Sequence, residues 1–300
     1  MGSQHIPVLV EEVMNLLRCE PHQTYVDATL GGGGHALEIL KRTSPDGIVI
    51  GVDWDEEAIA EAKELFLPFG ERVKIFRENF VRFPDLLEGM NLSEVDGILL
   101  DLGLSSLQLE KKERGFSLKG EGPLDMRMDQ RMDETAADLV NRLSLQELES
   151  TLREFGEERW ARRIAKALVQ EREKQPIETT QALRKIVHRA IPGRFHSRKI
   201  DPATRAFQAF RIRLNQELEN LRMVLETGWT FLKKGGRMCV ISFHSLEDRM
   251  VKETFRKLEK GRDGGSVMRV ITKKPITPSE EERNRNPRSR SAKLRCAERV

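Results

Sequence analysis

The chain has 300 residues, enough for one large domain or for a domain carrying a sizeable insertion. With 38% hydrophobic and 33% charged residues, no apolar run near bilayer-spanning length, and a start, Met1 to His5, without a signal peptide's basic and apolar regions, a soluble cytoplasmic protein is expected. Cys19, Cys239 and Cys296 are odd in number and far apart, which argues against a disulfide framework or a cysteine metal site, and a net charge of +3 says little about partners by itself.

Glu11 to Leu17 reads as a helix leading to a first strand, Tyr25 to Leu30. That strand runs into Gly31-Gly32-Gly33-Gly34-His35, and a second strand, Ile48 to Asp53, ends on a carboxylate 19 residues after Gly34. Strand, glycine turn, helix start and acidic strand end make the first βαβ unit of a nucleotide-type cofactor site. Glycines let the backbone turn sharply and let a ligand's anionic end lie against main-chain amides at the helix start. Asp53 is placed to accept from both hydroxyls of a ribose. Gly31-x-Gly33-x-x-Ala36 satisfies the dinucleotide fingerprint too. Asp27, four residues before the glycines, and further acidic strand ends such as Asp101 instead suit a ligand with a cationic amino-acid part, and so favour S-adenosylmethionine.

Next come a helix from Glu56 to Phe66 with Asp55 as N-cap, and a third strand, Val73 to Phe76. Asn79-Phe80 follows, where a loop at a strand end can present a ring to adenine. The fourth strand, Val95 to Asp101, is almost continuously apolar, as a buried parallel strand should be. From Leu102 to Asp129 the chain is long and irregular, the pattern of a lid or substrate-contacting segment. The alternation of strand and helix then stops. Asp133 to Leu143, Leu145 to Phe155 with Ser144 and Glu147 as a capping box, Glu157 to Lys174, and Gln181 to Ile191 all read as helices. Ala203 to Phe231 carries the chain back, Gly235-Gly236 ends that helix, and Met238 to Ser242 is another buried strand. Phe243 to Arg249 opens a further helix, to Leu258, and places His244 and Asp248 at the strand's carboxyl end. Val267 to Thr272 and Lys293 to Val300 supply a last antiparallel hairpin, with a basic loop, Asn284 to Arg290, between.

Charge clusters twice. Arg184 to Arg213 holds nine Lys or Arg against Asp201, and Arg283 to Val300 holds seven against Glu298. Two such clusters suit a phosphate backbone, with Arg194, Arg198, Lys199, Arg288 and Arg290 the candidate contacts.

The whole chain also resembles a known family. His5-x-Pro7-Val8-Leu9, Asp27-x-Thr29-x-Gly31-x-Gly33-Gly34-His35, Asp101-Leu102-Gly103-x-Ser105-Ser106-x-Gln108-Leu109, Arg114-Gly115-Phe116-Ser117, Gly122 to Met128, Pro202-Ala203-Thr204-Arg205-x-Phe207-Gln208, Ser242 to Arg249 and Asn286 to Ser291 are similar to the bacterial MraW proteins, the ribosomal RNA small subunit methyltransferase H family. The resemblance implies an α/β fold: a class I S-adenosylmethionine-dependent, Rossmann-like methyltransferase domain interrupted by an all-helical domain. Boundaries of 1–110, 111–213 and 214–300 are expected for its three parts. It implies S-adenosylmethionine-dependent methylation of the N4 amine of a decoding-centre cytidine in 16S rRNA, within the small ribosomal subunit. It places the cofactor on Gly33, Gly34, His35, Asp53, Phe80, Asp101 and Gln108, with no metal; a homodimer stays open. Ala28, Gly32 and Leu107 stand where relatives often have Gly, Arg and Pro, which changes loop stiffness and charge but removes no functional group.

DNA amino-methyltransferases carry Asp/Asn-Pro-Pro-aromatic after the fourth strand, and here that place reads Asp101-Leu102-Gly103-Leu104. The expectation is that Asp101 or a carbonyl of Leu102 to Ser105 contacts the amine, with His244 or Asp248 approaching from the other strand end. A non-catalytic RNA-binding assembly factor is the rival reading. It accounts for the basic clusters and leaves Asp27, the glycines and Asp53 idle.

Overall fold

The computed structural model describes residues 7–197, 200–261 and 265–300, and it divides into two units, one of residues up to Ser105 together with Leu218–Val300, the other Ser106–Glu217.

In the first unit seven strands form one sheet: β1 (Thr24–Asp27), β2 (Ile48–Asp53), β3 (Val73–Arg77), β4 (Val95–Asp101), β5 (Leu232–Ser242), β6 (Met268–Val270) and β7 (Lys293–Arg299). Their order is β3-β2-β1-β4-β5-β7-β6. The first five are parallel, and β7 runs antiparallel between β5 and β6. The order reverses between β1 and β4, the crevice where open α/β sheets bind ligands. Helices α1 (Val10–Leu17), α2 (Gly34–Arg42), α3 (Glu56–Phe66) and α4 (Phe83–Gly89) belong to this unit. Asp55 caps α3 by accepting from the Glu57 amide.

Side chains alternate across the sheet as the pleat demands. Ile98 and Leu100 of β4, with Met238 and Val240 of β5, enter one core, and Leu99, Cys239 and Ile241 enter the core on the other face. Both faces are therefore covered, which is why these strands read as unbroken apolar runs. This is the α/β, Rossmann-like fold that the resemblance implies.

The second unit holds α5 (Ser106–Glu110), α6 (Ala136–Arg142), α7 (Leu145–Glu154), α8 (Ala161–Arg172), α9 (Thr180–Ala190) and α10 (Thr204–Asn215). The expected capping box is formed: Ser144 accepts from the Glu147 amide and Glu147 from the Ser144 amide. The irregular stretch read as a lid is packed down in its second half. Leu124, Met126 and Met128 are buried, and the Asn215 side chain accepts from the Met128 amide at 2.8 Å and donates to the Met126 carbonyl at 2.9 Å. Nη2 of buried Arg114 donates to the Arg127 and Met128 carbonyls. Hydrogen bonds reaching this far along the chain leave no trace in local periodicity.

Beyond the second unit run α11 (Glu217–Thr227), α12 (Ser245–Lys260) and α13 (Glu280–Arg285). Four local expectations are corrected. The segment from Ala203 is broken at Gln216, which adopts φ 51 without a glycine to mark it. Gly235-Gly236 do not end a helix: β5 already starts at Leu232, its register with β4 shifts between Val95 and Gly97, and Gly235 takes φ +83. A glycine pair serves a strand bulge as readily as a helix stop. α8 begins at Ala161 rather than Glu157, whose φ is 47. Asn284 to Arg290 is mainly helical, the end of α13 and a 3₁₀ turn from Pro287 to Ser291.

Candidate active site

The turn after β1 is held from both sides. The Ala28 amide donates to the Leu99 carbonyl of β4, and the Leu30 amide to the Val52 carbonyl of β2, each at 2.9 Å. Gly33 stands at the N-cap of α2 with φ 80, and a Cβ there would lie 2.7 Å from two ring carbons of Phe66. Glycine is thus required both by the left-handed backbone and by the ring beneath it. Gly34 opens α2, so its amide lies among the helix's first, internally unpaired donors.

Asp53, at the end of β2, reaches across this turn. Its Oδ2 accepts from the Gly31 amide at 2.8 Å and its Oδ1 from the Asp55 amide at 2.9 Å. Each oxygen keeps a lone pair, the capacity needed to receive two ribose hydroxyls. Burial pushes this carboxyl up to about 6, against the lowering effect of those amides.

Asp27 and Asp101 end the two central strands. Burial pushes Asp27 up to about 7, with His35 offsetting part of the rise and Asp101 adding to it. Burial also pushes Asp101 up to about 7, and the Glu247 carboxylate adds to that. The Asp101 amide donates to the Thr29 hydroxyl, and the next amide, Leu102, to the Ile241 carbonyl at 3.0 Å, so the end of β4 is fixed against both neighbouring segments. One oxygen of Asp101 lies 3.5 Å from Nδ1 of His35; the other, Oδ1, is buried with no hydrogen-bond partner. His35 is itself buried, and its Nε2 lies 2.9 Å from the Val8 carbonyl. A carbonyl can only accept, so Nε2 carries the proton and Nδ1 of the neutral ring faces Asp101 as an acceptor. Burial lowers the His35 pKa, against the raising influence of Asp27, which favours that neutral ring. Two acceptors face each other unless Asp101 holds a proton, which fits its raised pKa. An orphaned acceptor on one of three carboxyls whose ionisation burial disfavours is a place prepared for a cation carrying hydrogen-bond donors.

Phe80 is nearly buried in the apolar core, with 9% of its surface exposed. Its ring is tilted at 58° to that of Trp54, with centroids 6.3 Å apart. Trp54, half-buried and directly after Asp53, is the aromatic that reading the sequence missed. Its position at a strand end beside the ribose-accepting carboxylate was the available signal.

The residues singled out on the other strand end make structural contacts. His244 is the N-cap of α12: its Nδ1 accepts from the Glu247 amide at 3.4 Å, while Nε2 sits 3.2 Å from Glu247 Oε1 without hydrogen-bond alignment. Asp248 turns to β7, accepting from Arg295 at 2.6 Å and Lys293 at 3.2 Å. Burial raises its pKa, but those two cations more than offset this and hold it below the ordinary carboxylate value. It is a weak base in that setting.

Gln108 is buried in α5 of the helical unit. Arg194 is exposed, with its guanidinium 5.0 Å from the centre of the Phe195 ring. Arg288 and Arg290 are exposed on the 3₁₀ turn before β7. Arg198 and Lys199 lie outside the described residues.

The MraW methylase family matches residues 2–300. "Ribosomal RNA small subunit methyltransferase H" of Desulfotalea psychrophila is 49% identical over 296 residues, covering 99% of this chain and 98% of that protein. The proteins of the same name from Syntrophus aciditrophicus, 48% identical over 99% of this chain and 98% of theirs, and from Syntrophobacter fumaroxidans, 45% identical over 98% and 96%, are similar along their whole lengths too.

Proposed function

Since the chain belongs to the MraW methylase family, we propose that it methylates 16S ribosomal RNA in the cytoplasm, at the N4 amine of a decoding-centre cytidine. The cofactor is S-adenosylmethionine. The observation that carries the reading is the group Asp27, Asp53 and Asp101 around the glycine turn, with Asp101 Oδ1 left as a buried acceptor. A dinucleotide offers pyrophosphate charge to such a group, whereas S-adenosylmethionine offers an ammonium and a sulfonium. A non-catalytic RNA-binding factor would leave these three costly carboxyls without a use.

When bound, the cofactor supplies a methyl group already made electrophilic by the sulfonium. This chain's residues then have to hold it, aim the acceptor and manage a proton. Gly33 and Gly34 would supply close backbone and helix-start amides, Asp53 would accept from the ribose, and Trp54 would join Phe80 at the adenine side. With a cationic cofactor bound Asp101 is ionised, and its Oδ1 would accept a hydrogen bond from the cytosine amine, drawing its lone pair out of the ring, and then take the proton that the nitrogen sheds as it gains the methyl group. His35 holds the proton state of Asp101 through Nδ1. A cytidine that leaves its stack reaches such a strand-end pocket, and Arg194, Arg288 and Arg290 hold flanking phosphates. The test is mass-spectrometric mapping of small-subunit RNA after incubation with the protein and isotopically labelled S-adenosylmethionine. One N4-methylcytidine at the decoding centre is expected; label on a different base or on a ring carbon would overturn the assignment.

The carboxyl group makes a pH prediction whose sign is fixed. Asp27, Asp53 and Asp101 are raised to about 7, 6 and 7 from an ordinary 3.8. The folded chain therefore holds protons that the unfolded chain releases, so the stability they contribute is full below about pH 4 and is lost as pH rises through about 6 to 7. A cationic ligand favours the ionised forms. The melting-temperature gain from S-adenosylmethionine is expected to grow between about pH 6 and pH 8. S-adenosylhomocysteine, which lacks the sulfonium, should show a shallower rise in the same thermal-shift series. Equal slopes for the two ligands would show that the carboxyls do not sense the sulfonium.

A further inference from the structure

Away from the glycine turn, the first unit carries a cavity of about 220 Å³ between α12 and the sheet edge formed by β6 and β7. Its walls present Lys252, Arg256 and Glu259 from α12, Lys273 from the segment after β6 and Arg295 from β7, beside the buried ring of Phe255. Lys252 and Arg256 are four residues apart and so share one helix face. Lys252, Arg256 and Lys273 have no ion-pair or hydrogen-bond partner among the described residues. The one carboxylate of the lining, Glu259, is engaged by the Val270 amide at 2.8 Å.

Arg295 decides what such a cavity is for. Its side chain is only 7% exposed, its Nε donates to Asp248 at 2.6 Å, and neither Nη nitrogen has an acceptor among the described residues. Asp248 must also serve Lys293, so it leaves Arg295 incompletely neutralised. A nearly buried guanidinium whose two Nη nitrogens keep their donors for the cavity, ringed by three unpaired cations, suits an anion with several acceptor oxygens. The volume lies below the roughly 300–1,000 Å³ that encloses a drug-sized ligand, so the fit is to a phosphate group and not to a whole nucleotide. Lys252 and Arg256 sit about 12 and 18 Å along the α12 axis from His244 by helical rise, a nucleotide-scale distance from the strand end.

We propose that this pocket holds a backbone phosphate of the RNA substrate. The inference rests on the RNA-methyltransferase reading and adds a phosphate anchor on the sheet domain, separate from the basic clusters noted in the sequence. Arg256 and Lys273 are exposed, so their exchange leaves the core intact. The test compares the full-length parent with the variant Arg256→Gln/Lys273→Gln. S-adenosylmethionine affinity is measured by calorimetry, and affinity for a small-subunit RNA fragment over a series of salt concentrations. The variant is expected to keep cofactor affinity and thermal stability, to bind RNA more weakly at low salt, and to lose about one unit from the slope of log affinity against log salt. Unchanged RNA affinity and slope in the variant, with the parent binding RNA, would overturn the pocket's role while leaving the functional reading intact. A parent that binds cofactor but no RNA would overturn both. Inorganic phosphate is titrated in parallel; binding that the variant loses, with RNA affinity untouched, would assign the pocket to free phosphate and likewise overturn the proposal.

Discussion

Exchange of Asp101 for asparagine is expected to lower methyl transfer at saturating S-adenosylmethionine by about 10²-fold or more and to weaken cofactor binding by about ten- to a hundredfold. Asparagine keeps the volume of the side chain at the end of β4, which the Thr29 hydroxyl and the Ile241 carbonyl hold in place through backbone amides. It removes the charge, and it offers an NH₂ group that donates where Oδ1 now stands as an unpartnered acceptor. The binding loss corresponds to one charge-assisted hydrogen bond, the rate loss to an amine whose lone pair stays in the ring. Because burial raises the Asp101 pKa, its ionised form destabilises the free protein above about pH 7, so the asparagine variant should melt no lower there. Steady-state kinetics at saturating cofactor separate the two roles. A kcat equal to that of the parent would confine Asp101 to cofactor binding.

Gly33→Ala is expected to destabilise the protein by about 2–5 kcal/mol, from the left-handed backbone and from overpacking against Phe66. For a unit of this size that corresponds to a fall in Tm of roughly 5–15 °C, with cofactor binding lost as the turn moves. The backbone holds φ at 80, and the added Cβ would meet the ring of Phe66 at 2.7 Å and Leu65 at 3.1 Å. The two contributions come apart in a double-mutant cycle. Against a Phe66→Ala background the ring is gone, and Gly33→Ala should then cost only the conformational part, about 1–2 kcal/mol. Thermal denaturation of the four proteins reads this directly; strictly additive losses would show that the ring is not what excludes a side chain at Gly33.

Both predictions begin with residues visible in the sequence, yet their force comes from neighbours that are not. Asp101 is recognisable as a carboxylate ending an apolar strand, but its pairing with His35 depends on a helix start 66 residues earlier coming beside it. Gly33 is recognisable in a glycine run, but the ring that forbids a Cβ lies on α3. His244 and Asp248 show the converse. Their place after β5 suggested chemistry, and the contacts they make, with the cap of α12 and the cations of β7, are not legible there.

The sequence by itself determined the parallel strands, the glycine turn with Asp27 and Asp53, the caps at Asp55 and Ser144 and the change to a helical unit, because each is written in short-range pattern: apolar runs, turn residues, capping spacings and periodicity. The tertiary structure alone decided the Gly235 bulge, the break at Gln216, the clamp of Asn215 on Met126 and Met128, the Trp54–Phe80 pair and the basic cavity around Arg295. Each of these depends on which distant segments are pressed together, and burial then sets the proton affinity or the pairing of a group whose residue type says little about either.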